Sequence, residues 1–376
     1  MAQTSRRAFL RGGAAGVAIV APEAVRGSQA NSKISVGLIG SGNRGSYDAS
    51  IVHADPRARI TALCDLYDDQ MERAAQRIKV TNPKTYKEFE KLLGSDVDAV
   101  VIASPVFEHP RMLEAAVQAR KHIYCEKPAG ADAEGCRRVI AAGRRHDPKK
   151  CLMFGFQQRY GPVYLKAYEA LKSGAIGEIT MASGFWMGGS PIPRAKGASG
   201  AKLTGDKLRN WYAYRDLSGD IIVEQDCHNF DDLHWFLGAL PIRCAGYGGR
   251  KLRTDREVMD HLSLTYEFPN GLHVSYQAAQ ITPAGLGRVG EEYAGSQGSI
   301  FTSRKKSVIY RGNKPETIQA GRDITIDAIE TFLGHIAAGT VENAAERSAE
   351  STMIAILGRT AIYTGREATW KGVFGG

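Results

Sequence analysis

The chain has 376 residues, 43% hydrophobic and 24% charged, with a formal net charge of +9. This is an ordinary globular composition, long enough for two domains, and it excludes a disordered or low-complexity protein. No apolar run is long enough to span a bilayer, and the basic surplus is dispersed rather than interleaved with aromatics, so neither a membrane span nor a nucleic-acid partner is expected.

The opening Thr4-Ser-Arg-Arg-Ala-Phe-Leu-Arg11 precedes a short, weakly apolar run, Gly12 to Ala21, and the small residues Ser28-Gln-Ala30. Together they resemble a bacterial twin-arginine export signal over residues 1–30, which implies a periplasmic or otherwise exported protein, folded before it crosses the membrane. Without those residues the net charge falls to +6.

Val36 to Gly45 reads as a buried strand entering a glycine-rich turn that opens a helix. Gly40, Gly42 and Gly45 stand in the G-x-G-x-x-G order, giving a tight turn, close backbone approach to a pyrophosphate, and close helix–strand packing. Asn43 and Arg44 sit inside the turn, where Arg44 can touch cofactor or substrate. A second apolar run, Arg59 to Asp65, ends in a carboxylate placed to accept ribose hydroxyls. With no arginine close behind it in sequence to receive a 2′-phosphate, NAD is favoured over NADP.

An amphipathic stretch follows at 68–79, then a helix near 86–93. The all-apolar run Asp98 to Ala103 stops at Ser104-Pro105 and leads into a helix that ends near Ala119. His122 to Glu126 reads as a strand closing on Lys127-Pro128, residues 132–145 as a helix, and Cys151 to Phe154 as a further strand. Alternating strands and helices argue for a doubly wound parallel sheet, with its ligand crevice past the carboxyl ends of the strands. A nucleotide-binding domain over 31–155 is therefore expected, with Ser104, His109, Glu126 and Lys127 at its crevice. His109 either lines that crevice or caps the following helix.

The second part, 156–376, has another rhythm. A helix near 161–173 is followed by a strand over 177–186 and a Gly, Pro and Lys-rich loop over roughly 188–207. Asp260 to Phe268 alternates at period two, turns at Pro269-Asn270-Gly271 and returns through Leu272 to Gln277, a strong hairpin signal. Another hairpin is expected at 298–310, with terminal helices near 324–338 and 343–363 that can pack back on the first domain. The expected architecture is α/β, a doubly wound domain followed by an open, largely antiparallel sheet. The six cysteines lack metal-ligand spacing and read as buried thiols, so no metal is expected.

Residues Ile221 to Leu237 read as one helix on which Glu224 and His228, four apart, share a face. A neutral imidazole can take a hydroxyl proton near pH 7, with Glu224 orienting it or holding a second hydroxyl. Lys127, at a strand's carboxyl end, can stabilise a developing alkoxide. Arg159 and Tyr160 read either as sugar or phosphate ligands or as structural partners, and Trp211 either as a sugar-stacking platform or as core.

Cys125-Glu-Lys-Pro128, Gly155-Phe-Gln-Gln-Arg159 and Ser218 to Asp231, with the glycine fingerprint ahead of them, resemble the Gfo/Idh/MocA oxidoreductases. The resemblance implies NAD or NADP, a sugar or cyclitol substrate, a homo-oligomer (dimer or tetramer) built on the open sheet, and a catalytic lysine that maps onto Lys127. His228 and Glu224 complete the implied catalytic set, with Asn229 among the substrate contacts. Glu224 stands where the family commonly has Asp, and Asp231 at a further family acidic position. The same residues are compatible with an NAD-dependent glycosidase that oxidises, eliminates and re-reduces, or with a non-catalytic sugar sensor.

Overall fold

In a computed structural model, residues 33–189 and 206–375 are described; the expected export signal and nearly all of the 188–207 loop lie outside them. Two sheets organise the chain. The first is parallel, with strands β1 (Ile34–Ile39), β2 (Ala58–Cys64), β3 (Lys84–Tyr86), β4 (Ala99–Ile102), β5 (His122–Cys125) and β6 (Leu152–Phe154) in the order β3-β2-β1-β4-β5-β6. Strands β4 and β6 are buried at every residue. That matches their uninterrupted apolar sequence, because a parallel sheet is covered on both faces.

The covering helices take their faces from the sequence period. Asp68–Ile78 begins with two acidic residues, which suit a helix N-terminus, and buries Met71, Ala74 and Ile78. On the same side of the sheet, Ile329, Phe332 and Leu333 of the Ile324–Ala338 helix join the cluster of Val36, Leu38, Val52 and Leu63. Phe332 lies 5.6 Å from the Tyr124 ring. The preceding edge is tied as well: Leu152 N–H donates to Glu342 O (2.8 Å) and Ala344 N–H to Leu152 O (2.9 Å). From Ile34 onward the chain is one compact unit.

The second sheet has nine strands: β7 (Ile179–Met187), β8 (Arg243–Gly249), β9 (His261–Glu267), β10 (His273–Ala279), β11 (Arg288–Gly295), β12 (Gly298–Thr302), β13 (Lys306–Arg311), β14 (Lys314–Gln319) and β15 (Ala368–Thr369). Its order is β14-β13-β12-β11-β7-β10-β9-β8-β15. All neighbours are antiparallel except β7 and β10. The Asn270-Gly271 turn joins β9 to β10, both residues having positive φ. One face packs on Phe230, Leu233 and Phe236 of the Cys227–Leu237 helix and on the Ala345–Thr364 helix.

The single helix expected over Ile221 to Leu237 is interrupted. It divides into Ile221–Glu224 and Cys227–Leu237, and both Gln225 and Asp226 N–H groups donate to Ile221 O. The wider bond from Asp226 is a π-type step, of the kind that recurs at functional sites. Asp226 is buried and its neighbour Gln225 is locked to Tyr212 and Gln280, which holds the break in place.

Candidate active site

Two of the three fingerprint glycines are required by sterics, and the third leaves open space. A Cβ on Gly40, whose φ is +89°, would sit 2.6 Å from the Ala103–Ser104 backbone. One on Gly45 would overlap Gly40 O, so the helix could not approach β1 as closely. Around Gly42 the space is open, with no atom within 4 Å of such a Cβ. The Asn43–Ala54 helix that starts there has no side-chain cap and no acid in its first turn. An uncapped helix start with open space before it is a place for a pyrophosphate.

Beside that turn lies a cavity of about 440 Å³, bordered by Gly40, Gly42, Asp65, Ser104 and Met112. Asp65 is held by Ser41 N–H (2.8 Å) and Tyr67 N–H (3.0 Å), which leaves lone pairs on both carboxylate oxygens for ribose hydroxyls. These features fit a dinucleotide. Trp211 borders this cavity. An arginine absent from the sequence neighbourhood of Asp65 is supplied from afar: Arg209 lies 3.9 Å over the Tyr67 ring, bound to Asp69 at 2.6 Å.

Past the end of β5, Glu126, Lys127 and Pro128 run between the ends of β4 and β6, with Glu126 N–H donating to Ile102 O (2.7 Å) and Gly155 N–H to Cys125 O (2.8 Å). A side chain at Gly155 would overlap the Glu126 carboxylate, so the glycine that opens the Gly155-Phe-Gln-Gln stretch makes room for it. Glu126 is 3.9 Å from Arg44, which also binds the buried Asp48 at 3.3 Å. Burial pushes the Asp48 carboxyl well up, and Glu126 adds to this against the pull of Arg44.

Lys127 Nζ donates to Glu224 Oε1 (2.9 Å) and Glu224 O (2.7 Å). The side chain is only 9% exposed. Burial works to lower the ammonium pKa, but Glu224 and other nearby acidic groups outweigh it and leave it above the ordinary lysine value. At the helix break, then, Glu224 grips Lys127 through both its carboxylate and its carbonyl.

His228 is 3% exposed, stacked against Trp186 (5.9 Å, 20°) and edge-on to Phe156 (6.0 Å). Its Nδ1 is sealed from solvent without a partner, which leaves Nε2 to meet a ligand. Burial lowers its pKa well below the ordinary value, and Arg304, Lys127 and Arg44 lower it further. The imidazole is thus neutral, in a setting of positive charge.

Other expected contacts are structural. His109 is buried, with Nδ1 2.7 Å from Pro128 O and Nε2 2.9 Å from Ser104 O, so it braces two turns and does not line the crevice. Arg159 forks onto Asp231 at 2.8 Å through both Nε and a terminal nitrogen. Tyr160 OH donates to Glu342 (2.8 Å). Asn229, 1% exposed, donates to Glu291 and accepts from Tyr276 OH (3.0 Å), so it is engaged within the protein. In each case a buried polar group found a protein partner, which a motif in one dimension does not reveal. Asp48, Trp186 and Arg304 were not foreseen. Asp48 carried a signal: it shares the inward face of its helix with Gly45, Ala49 and Val52.

All six cysteines are free and buried. Among the described residues no group of three His, Cys, Asp or Glu is arranged to hold a metal ion, and no helix is long and apolar enough to cross a membrane.

Residues 34–156 match the model of the "Oxidoreductase family, NAD-binding Rossmann fold", and residues 164–301 that of the "GFO/IDH/MocA C-terminal domain". Among curated relatives, inositol 2-dehydrogenase of Acidothermus cellulolyticus is 34% identical over 40% of this chain and 43% of its own length. The Rhizobium meliloti inositol 2-dehydrogenase is 30% identical over 55% and 56%. The chain spans about half the length of these relatives. Among solved structures, a levoglucosan dehydrogenase in complex with NADH and levoglucosan superposes with a TM-score of 0.75 at 17% identity, covering 90% of this chain and 99% of that one. Myo-inositol 2-dehydrogenase from Lactobacillus plantarum gives 0.72 at 19%, with the same coverage.

Proposed function

This chain belongs to the GFO/IDH/MocA oxidoreductase family, with an NAD-binding Rossmann domain, and from that premise we propose that it is an NAD-dependent dehydrogenase of a sugar or cyclitol CH–OH group. One observation carries the reading: a buried ammonium, fixed by two bonds to Glu224, lies in the electrostatic shell of a neutral imidazole whose Nδ1 has no hydrogen-bond partner. NAD, when bound, supplies the hydride acceptor. His228 takes the hydroxyl proton at Nε2, while Lys127 offers its remaining N–H to the oxygen on which negative charge develops. Glu224 keeps Lys127 charged and fixed. Gly42 and the open helix start after it receive the pyrophosphate, and Asp65 the ribose. The test is a polyol panel read by reduced-nicotinamide absorbance, with Lys127→Met and His228→Ala as controls. Turnover that survives both substitutions defeats the assignment.

The proposal extends to setting. Residues 1–30 act as a twin-arginine signal, the mature chain divides into 31–155 and 156–376, and NAD is loaded before export and held tightly, since the periplasm has no nicotinamide pool to draw on. Denaturing protein purified from the periplasm and assaying the supernatant tests this, and active protein without bound nucleotide would rule it out. A homo-oligomer through the nine-stranded sheet is favoured by the exposed Met181 of β7, Tyr247 of β8 and Tyr310 of β13. Light scattering reads the state directly.

A further inference from the structure

The positive shell around His228 does not balance. Three cations act on that ring: Arg304, Lys127 and Arg44. Lys127 has Glu224, and Arg44 has Asp48 and Glu126. Arg304 has no carboxylate within ion-pair distance among the described residues. Its guanidinium lies 5.4 Å over the Trp186 indole, the same ring that stacks on His228. Its polar protein contact is the Gln157 side-chain oxygen (3.3 Å), in the amide orientation that satisfies both ends of Gln157. Arg304 Nε is sealed from solvent without any partner.

Asp323 and Asp232 act on Arg304 only from beyond ion-pair distance, and Asp323 is engaged by Tyr47 OH (2.7 Å) and Thr325 N–H (2.9 Å). Burial and then Glu291 push the Asp232 carboxyl well up, so Asp232 and Glu291 do not carry two full charges. A sequestered guanidinium without a counter-ion is costly, and an Arg presents a planar fork matched to carboxylate or phosphate.

We infer that Arg304 is the receptor for an anionic group on the substrate, which makes the substrate an acidic sugar, bearing a carboxylate or phosphate, rather than a neutral polyol. This rests on the dehydrogenase reading above. Arg304 and His228 both pack on the Trp186 indole, so an anion held by the guanidinium would lie beside the ring that takes the hydroxyl proton. Carboxylate and phosphate share this chemistry, and the substrates tested separate them.

The experiment uses full-length protein with NAD. D-gluconate and D-glucuronate, then glucose 6-phosphate and inositol 1-phosphate, are compared with glucose and myo-inositol. We expect kcat/KM at least about 100-fold higher for an anionic member than for its neutral counterpart. Arg304→Gln should erase that preference, raising KM for the anionic member far more than for its neutral counterpart; Arg304→Lys should restore part of it, and NAD affinity should not move. A preference for neutral sugars, or an equal loss on both kinds in Arg304→Gln, overturns the inference and leaves the dehydrogenase reading standing. Thermal unfolding supplies a readout independent of turnover. Acidic sugars should raise the Tm of wild type and not of Arg304→Gln, and an equal rise in both refutes the role of Arg304 even if no polyol is oxidised.

Discussion

Gly42→Ala should make the nucleotide-free protein slightly more stable and yet cripple NAD binding. Gly42 has φ −69°, which alanine adopts without strain, and an added Cβ has no neighbour within 4 Å. The substitution then acts chiefly through the unfolded chain, stabilising by roughly 0.4–1 kcal/mol. The same methyl occupies the space where phosphate oxygens must meet helix N–H groups. Losing one or two such charge-assisted bonds, at about 1.5–3 kcal/mol each, weakens Kd by roughly 10- to 1000-fold or more. Gly40→Ala is the contrast. Its φ of +89° and the 2.6 Å approach to the Ala103–Ser104 backbone combine a left-handed penalty of about 1–2 kcal/mol with overpacking of about 1–3 kcal/mol. Urea unfolding of nucleotide-stripped protein, paired with titration calorimetry of NAD, separates the two effects. If Gly42→Ala loses stability, or binds NAD as tightly as wild type, the assignment of this turn to the pyrophosphate is wrong.

Four further outcomes follow from the site. Lys127→Met should lower kcat by about 10²–10³ while NAD Kd moves only a few-fold, as measured by initial rates and calorimetry. The pH profile of kcat/KM should show no imidazole inflection near the ordinary value of about 6.5, because burial lowers the His228 pKa and keeps the base neutral there. By the same sign, this group's contribution to stability is complete above the unfolded pKa and is lost as pH falls below it; an inflection at the ordinary histidine value would contradict the burial. Asp65→Ser should shift preference from NAD toward NADP, and adding Asp69→Asn should shift it further by releasing Arg209; unchanged NADP kinetics in the double variant would remove Arg209 from the ribose site. A thiol reagent should find no fast-reacting cysteine in native protein and six after unfolding, since all six are buried and burial pushes Cys64, Cys151 and Cys244 up to about 12.

The parallel sheet was legible because its strands are short unbroken apolar runs and its turns carry Gly, Asp or Pro at the punctuating positions. Strands β8 and β11 were not, because glycines and charges (Arg243 to Gly249, Arg288 to Gly295) hide their alternation, and only pairing with β9 and β7 makes them strands. Edge strand β3, three residues long, offers no periodic signal. At the site, Lys127, Glu224 and His228 could be singled out from local sequence, but the geometry relating them could not. A helix drawn through Ile221 to Leu237 makes Glu224 a neighbour of His228 alone, whereas the break at Gln225-Asp226 gives its carbonyl and carboxylate to Lys127. Arg304 sits in a run of ordinary surface appearance, Arg304-Lys-Lys306, and Arg209 lies 144 residues beyond Asp65. Neither becomes visible until the chain brings them to Trp186 and Tyr67.

The Ile324–Ala338 helix and the strap that follows it have a practical consequence for anyone dissecting the molecule. Although the parallel sheet ends in sequence at Phe154, one of its two faces is roofed by Ile329, Phe332 and Leu333, and its last strand borrows hydrogen bonds from residues 342 and 344. A fragment cut near residue 155 would present a bare greasy surface and an open edge, and should aggregate instead of binding nucleotide. Grafting the nucleotide module onto another scaffold therefore requires carrying this distant piece along, as a permuted or two-part assembly.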